Sequence, residues 1–248
     1  MSTIIDQIYV IGGQALKKST KPYLFFSYLI SYISFGIIVF SKIIFDEIFK
    51  SPLYLSLFIL GCLGPFISAV IVKGINKDEL KFVKSKSMIL IPIFLIAHYG
   101  FNIILKNVYR YGNLLDFFKF LPIMFILFGL QEIGWRGIVQ PTYEKEKGFI
   151  KSCIITGIFW GIWFLPLIFI PQFIVLPQFY TQFVAYLVGI SILLSTLYKS
   201  SKNILNCIIL SSLIFALAPV IVLKQGFMLV GIAVIDAIFA GTLKDKKF

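Results

Sequence analysis

Runs of about 20 apolar residues recur from Tyr23 to the end of this 248-residue chain, and each is long enough to cross a bilayer core as a helix. In hydrocarbon every backbone amide must find its partner inside the protein, a demand that an apolar run of this length meets as a helix. Eight spans are expected, at 23–45, 52–72, 88–105, 117–139, 149–170, 181–198, 203–223 and 226–243. The fold class is therefore all-α, a polytopic membrane protein whose helices, about eight in number, form a bundle. Residues 1–22 mix apolar residues with Asp6, Gln7 and Gln14 and read as a cytoplasmic or interfacial lead, either an amphipathic turn or disordered. No repeat or linker divides residues 23–248, which form a single transmembrane domain. With 59% hydrophobic and only 14% charged residues, a soluble domain is excluded.

The net charge of +12 reads as a topology signal, not as a nucleic-acid surface, because the lysines fall in short loops between apolar runs. Sixteen of the 23 basic residues lie on one side of the expected bundle: Lys17, Lys18 and Lys21, the loop from Lys73 to Lys86, Lys145, Lys147, Lys151, Lys199, Lys202 and the terminal Lys244, Lys246 and Lys247. Opposite them stand six, Lys42, Lys50, Lys106, Arg110, Lys119 and Lys224. The asymmetry predicts a multi-pass protein of the cell membrane with both termini cytoplasmic. No small-residue cleavage site follows the first run, which is expected to be retained as an anchor. Cys62, Cys153 and Cys207 sit inside apolar runs and read as small buried residues. A single histidine, His98, rules out a histidine-based zinc set, and no cofactor or metal is expected.

Against this background one stretch stands out: Gln131-Glu132-Ile133-Gly134-Trp135-Arg136-Gly137. A carboxylate and a guanidinium at hydrocarbon depth cost several kcal/mol unless they are paired and face the protein interior. On a helix Glu132 and Arg136 share a face and can pair, Gln131 and Trp135 form a second pair about 100° away, and Gly134 and Gly137 let a neighbouring helix approach. The segment is either a staple between helices or part of an active site. His98 reads as a hydrogen-bonded interior histidine and Asp236 as an inward-facing carboxylate that bonds within the bundle. Ser211 and Ser212 lack the G-x-S-x-G frame of a nucleophile. Trp160, Trp163 and Pro166 suit a kinked, tightly packed helix, which fits a bundle core as well as a pocket; Trp135, Trp160, Trp163 and His98 are the candidates to line a cavity.

Four pieces, in order, resemble the CAAX-protease and bacteriocin-processing membrane proteins, the CPBP or Abi family. Gly64-Pro65-Phe66-Ile67-Ser68-Ala69 is similar to its early Gly-Pro segment. The 131–137 stretch is similar to its first motif, a Glu-Glu pair leading to Gly-Trp-Arg-Gly. Trp160-Gly161-Ile162-Trp163-Phe164-Leu165-Pro166 is similar to its second motif, usually Trp-Gly-x-Trp-His-x-Pro, and the stretch from Leu197 to Phe215 is similar to the approach to its third. The resemblance covers about two-thirds of the chain, with a family core at about 115–220. It implies an eight-helix fold around a cytoplasm-facing cavity in which active members cleave membrane-associated proteins. The first glutamate and the second-motif histidine activate water there, while the third-motif histidine and asparagine hold the oxyanion.

Carried over residue by residue, the resemblance places Gln131 at the base and Phe164 at the second-motif histidine. Ser211 (or Ser212) stands at the third-motif histidine and Phe215 (or Ala216) at the asparagine. Glu132 and Arg136 remain. The expectation is a catalytically silent relative that binds a membrane-inserted or prenylated peptide or protein, with an apolar cavity and an immunity or regulatory role. The alternative is an active intramembrane endopeptidase using Glu132 and His98. A transport role has only Asp236, Glu132 and Arg136 to recommend it and lacks the repeats such proteins carry.

Overall fold

The structure, a computed structural model, describes residues 2–74, 86–173 and 175–243, with side chains described from Ser19 and not at 86, 227, 228 or 243. The loop lysines Lys77, Lys81 and Lys84 and the terminal Lys244, Lys246 and Lys247 lie outside the described residues, as do the side chains of Lys17 and Lys18.

The chain is an all-α polytopic membrane bundle. Its elements are α1 (Ser2–Ser41), α2 (Phe45–Ile48), α3 (Pro52–Lys73), α4 (Leu90–Ile104), β1 (Val108–Tyr111), α5 (Leu114–Met124), α6 (Glu132–Gly134), α7 (Gln140–Lys147), α8 (Phe149–Phe164), α9 (Tyr180–Ser201), α10 (Ile204–Leu217), β2 (Ile221–Leu223) and α11 (Phe227–Leu243). Six helical stretches are long and apolar enough to cross a membrane, and two shorter apolar helices, 204–217 and 229–242, complete the eight. The expected turn or disordered lead at 1–22 is instead helical from Ser2, continuous with the first span through Pro22. That span stops at Ser41, before the expected 45, where Lys42 takes a positive φ of 56° and the Ser41 hydroxyl accepts from the Ile43 amide. The expected seventh span, α10, stops at Leu217. Pro219 has no N–H to continue the ladder, and residues 221–223 pair as a strand antiparallel to β1, an element the apolar pattern gave no reason to expect.

The axis of the bundle is α9. Every residue from Gly189 to Leu197 is buried, as expected of a helix surrounded by others, and α8, α10 and α11 pack against it. Small residues set the close approaches: a Cβ on Gly157 of α8 would meet the Val188 backbone at 2.7 Å, and one on Gly189 would meet that of Ala233 in α11 at 2.6 Å.

Prolines shape the spans, and side chains repair what they break. Pro65 in α3 cannot donate to the Gly61 carbonyl. The Ser31 hydroxyl of α1 donates to that carbonyl at 2.7 Å and accepts from Trp163 Nε1 of α8 at 2.7 Å. Pro166 turns the end of α8 into a 3-10 segment, Leu165–Phe169, where the Leu165 amide bonds the Ile162 carbonyl, not that of Gly161. Tyr180 takes the released Gly161 carbonyl at 2.8 Å, and Tyr32 also donates to Ile162 O. Ser31→Ala is expected to strand both Gly61 O and Trp163 Nε1 and to destabilise the bundle by about 1–3 kcal/mol. Trp163→Phe, which leaves the Ser31–Gly61 bond intact, costs less of the hydrogen-bonding part; thermal denaturation of detergent-purified variants, with a Trp163→Phe/Ser31→Ala cycle to separate packing from bonding, measures both.

Candidate functional site

The fourth span is not a regular α-helix. Between Leu114 and Lys147 two π-helical segments, Phe125–Gly129 and Trp135–Val139, bracket the short α6, so the distinctive motif sits between two wide turns. Such π-bulges recur at functional sites because they release carbonyls and re-aim side chains. Here Gln131 donates its amide to Leu127 O at 2.7 Å and to Cys62 O of α3 at 3.0 Å, and accepts from Trp135 Nε1 at 3.3 Å. Lys73, at the end of α3, donates to Gly137 O at 3.2 Å. Gly134 lies against the Tyr23 ring, where a Cβ has no room.

Glu132 and Arg136 form the expected pair, Nε to Oε2 at 2.9 Å, with both side chains fully buried. The guanidinium also donates from Nη1 to Gln140 Oε1 at 3.2 Å, Ser191 Oγ at 3.0 Å and Ser195 Oγ at 3.2 Å. Ser195 in turn donates to Gln140 Oε1, and Ser191 to Cys153 O of α8. This polar ladder joins α6 and α7 to the central α9. Reading the motif alone missed Gln140, Ser191 and Ser195. Their signal was the same four-residue step, Glu132 to Arg136 to Gln140 on one element and Ser191 to Ser195 on the other.

Phe164 and Phe215 do meet, through a residue the sequence did not flag. Phe128, inside the first π segment, stacks on Phe164 at 6.0 Å with a 17° interplanar angle and on Phe215 at 4.6 Å and 20°. Trp160 meets Phe215 edge-on, and Trp163 and Phe183 meet Phe164 edge-on. The aromatic side chains expected to line an open cavity therefore pack on one another. The described recess of about 300 Å³ is formed by residues of the 168–177 loop, and Gln131, Glu132, Arg136, Phe164, Ser211 and Phe215 do not line it. Ser211 is fully buried one turn before Phe215, and its hydroxyl has no partner among the described residues. Ser212 donates to Ile208 O at 2.6 Å.

His98 belongs to a separate centre. Its Nδ1 lies 2.7 Å from Asp236 Oδ2 of α11 and its Nε2 2.8 Å from the Tyr186 hydroxyl of α9, while Asn102 donates to its backbone carbonyl. This is the hydrogen-bonded interior histidine that its place in an apolar helix suggested, and Asp236 is the inward carboxylate that holds it. The structure does not pair His98 with Glu132. Among the described residues no group of three histidine, cysteine, aspartate or glutamate side chains could hold a metal ion.

Because Glu132 neutralises a guanidinium that water cannot reach, Glu132→Ala is expected to cost about 3–5 kcal/mol by leaving a buried charge unpaired. A Glu132→Gln/Arg136→Met double variant, which removes both charges, should melt closer to wild type than either single change. Unfolding of the purified variants in one detergent checks the order.

Residues 113–214 match a family model described as type II CAAX prenyl endopeptidase Rce1-like. Over 146 residues the chain is 26% identical to a CAAX prenyl protease 2 of Methanococcus maripaludis, a match covering 48% of this chain and 53% of that relative. The similarity thus spans about half the length of each protein. The matched family segment runs from just before α5 into α10 and contains the polar ladder, the aromatic stack up to its last ring, and Ser211.

Proposed function

We propose that this relative of the Rce1-like type II CAAX prenyl endopeptidases is a catalytically silent membrane protein, with both termini in the cytoplasm, that binds a membrane-inserted or prenylated peptide or protein in an immunity or regulatory role. The observation that carries the reading is the Phe128–Phe164–Phe215 stack. Two of its rings occupy the positions where the family resemblance puts a histidine and an asparagine. A phenyl ring neither takes a proton nor donates to an oxyanion.

The base position supports the same reading. Gln131 is an amide, and both its nitrogen and its oxygen are engaged by Leu127, Cys62 and Trp135, so it cannot activate water. Loss of a general base removes roughly 10²–10⁴ in rate, and loss of an oxyanion donor a further ~10²–10³. An active site rebuilt from Glu132 and His98 finds no support in the geometry. The carboxylate is held by Arg136, and the imidazole has both nitrogens committed to Asp236 and Tyr186.

Reconstituted in vesicles with a farnesylated CAAX peptide, the protein is expected to release no product above the protein-free control. Cleavage that disappears in Glu132→Ala or His98→Ala would overturn the silent reading. The same peptide carrying a diazirine should crosslink saturably and be competed by unlabelled peptide; labelling that rises linearly with probe and resists competition would remove the binding role.

A further inference from the structure

The chain has 21 lysines and only two arginines. One of them, Arg136, is locked in the buried ladder. The other, Arg110, sits on the β1–β2 ribbon at the bundle end that also carries the 168–177 loop. Gln225, just past β2, accepts from the Leu176 amide of that loop.

The ribbon is bulged. Val108 and Arg110 pair with the consecutive residues Leu223 and Val222, so Tyr109 is the extra residue. A bulge re-aims side chains and breaks the alternation that would turn every second residue toward the bundle. As a result three consecutive residues face outward: Tyr109 is 73% exposed, Arg110 is exposed and Tyr111 is 65% exposed. Arg110 makes no ion pair among the described residues, because the nearest carboxylate along the chain, Asp116, is held by Lys119 at 3.2 Å. Two more cations stand close by. The exposed Lys224, just past β2, donates its ammonium to the Lys106 carbonyl at 2.8 Å, and the Lys106 side chain, just before β1, is also exposed.

The helices that frame the ribbon expose apolar side chains right up to it: Ile103, Ile104 and Leu105 at the end of α4, and Leu114, Leu115 and Phe118 at the start of α5. Exposed apolar stretches of this kind suit a lipid-facing surface. The Tyr-Arg-Tyr strand lies where they end, and tyrosine rings with long cations are the side chains that suit a headgroup layer.

We propose that the bulged β1 strand is a binding site for the phosphate of an anionic phospholipid headgroup. Arg110 holds the phosphate through its planar fork, Lys106 and Lys224 supply the surrounding positive charge, and Tyr109 and Tyr111 flank the headgroup. Arginine, not lysine, fits this role because its parallel N–H groups match two phosphate oxygens. The site is independent of the interior aromatic stack and holds whether or not the protein cleaves peptides.

Lipid binding to the detergent-purified protein, read by native mass spectrometry with phosphatidylglycerol and phosphatidylcholine at equal concentration, tests the assignment. Wild type is expected to retain phosphatidylglycerol at least about tenfold over phosphatidylcholine, a factor of ten being the 1.4 kcal/mol scale of one good charged contact. Arg110→Ala should lose the preference and Arg110→Lys should keep only part of it; Tyr109→Ala, which leaves the charge in place, should weaken it less. All three substitute exposed side chains and are expected to melt with wild type in neutral lipid. An undiminished preference in Arg110→Ala overturns the proposal. So does displacement of the lipid by millimolar inorganic phosphate, which would make this a site for free anions.

Discussion

What the rest of the structure depends on is the satisfaction of carbonyls that have left the α-helical ladder. In a bilayer an unpaired carbonyl cannot turn to water, and four of this chain's departures from regular helix are Pro65, the two π segments of the fourth span, and Pro166. At each one a side chain from another element, or from the adjacent turn, moves in. Ser31 serves Gly61, Gln131 serves Leu127, Lys73 serves Gly137, and Tyr180 and Tyr32 serve Gly161 and Ile162. These bonds tie α1, α3, the fourth span, α8 and α9 to one another, so the irregularities become the places where the spans are fastened.

The same logic explains how the interior can carry phenylalanines at positions where the family resemblance puts polar groups. A histidine or asparagine inside a bundle needs partners of its own, and each unmet group there is costly. Phe164 and Phe215 need none. They close on Phe128 and on Trp160 and Trp163 through offset and edge-on ring contacts worth about 0.5–1.5 kcal/mol each beyond area burial. Glu132 and Arg136 could not be simplified in the same way one at a time, since removing either strands the other. A paired charge therefore sits in the same bundle as the Phe128, Phe164 and Phe215 rings.

Much of this was legible in the chain itself. Run length gave the helices, a four-residue step gave the Glu132–Arg136 and Gln131–Trp135 pairs, and an aspartate in an apolar helix signalled an inward bond. The parts that escaped have a common physical origin in distance along the chain or in departures from ideal geometry. Nothing local marks Phe125–Gly129 as π-helical, whereas Trp135–Val139 is followed by Pro141, which has no N–H to offer Gly137 O. The union of His98, Asp236 and Tyr186 crosses 138 residues between its first two members, beyond the reach of any spacing rule. The stacking of Phe164 and Phe215 on Phe128 escaped for the same reason, since the three rings lie far apart along the chain.

The central helix explains why the two polar centres stay separate. Tyr186, which holds His98, and Ser191 and Ser195, which hold Arg136, all belong to α9. At 1.5 Å of rise per residue they stand roughly 7.5 and 13.5 Å apart along its axis. The imidazole and the guanidinium that holds the Glu132 carboxylate are thus anchored to different turns of one helix, and bringing them together would require His98 or Arg136 to give up its partner on α9. The close backbone contacts at Gly157 and Gly189 hold α8 and α11 against this helix, so its anchoring turns keep their places in the bundle. The chain's one histidine is therefore fixed at a different level from its buried glutamate by the same helix that organises the fold.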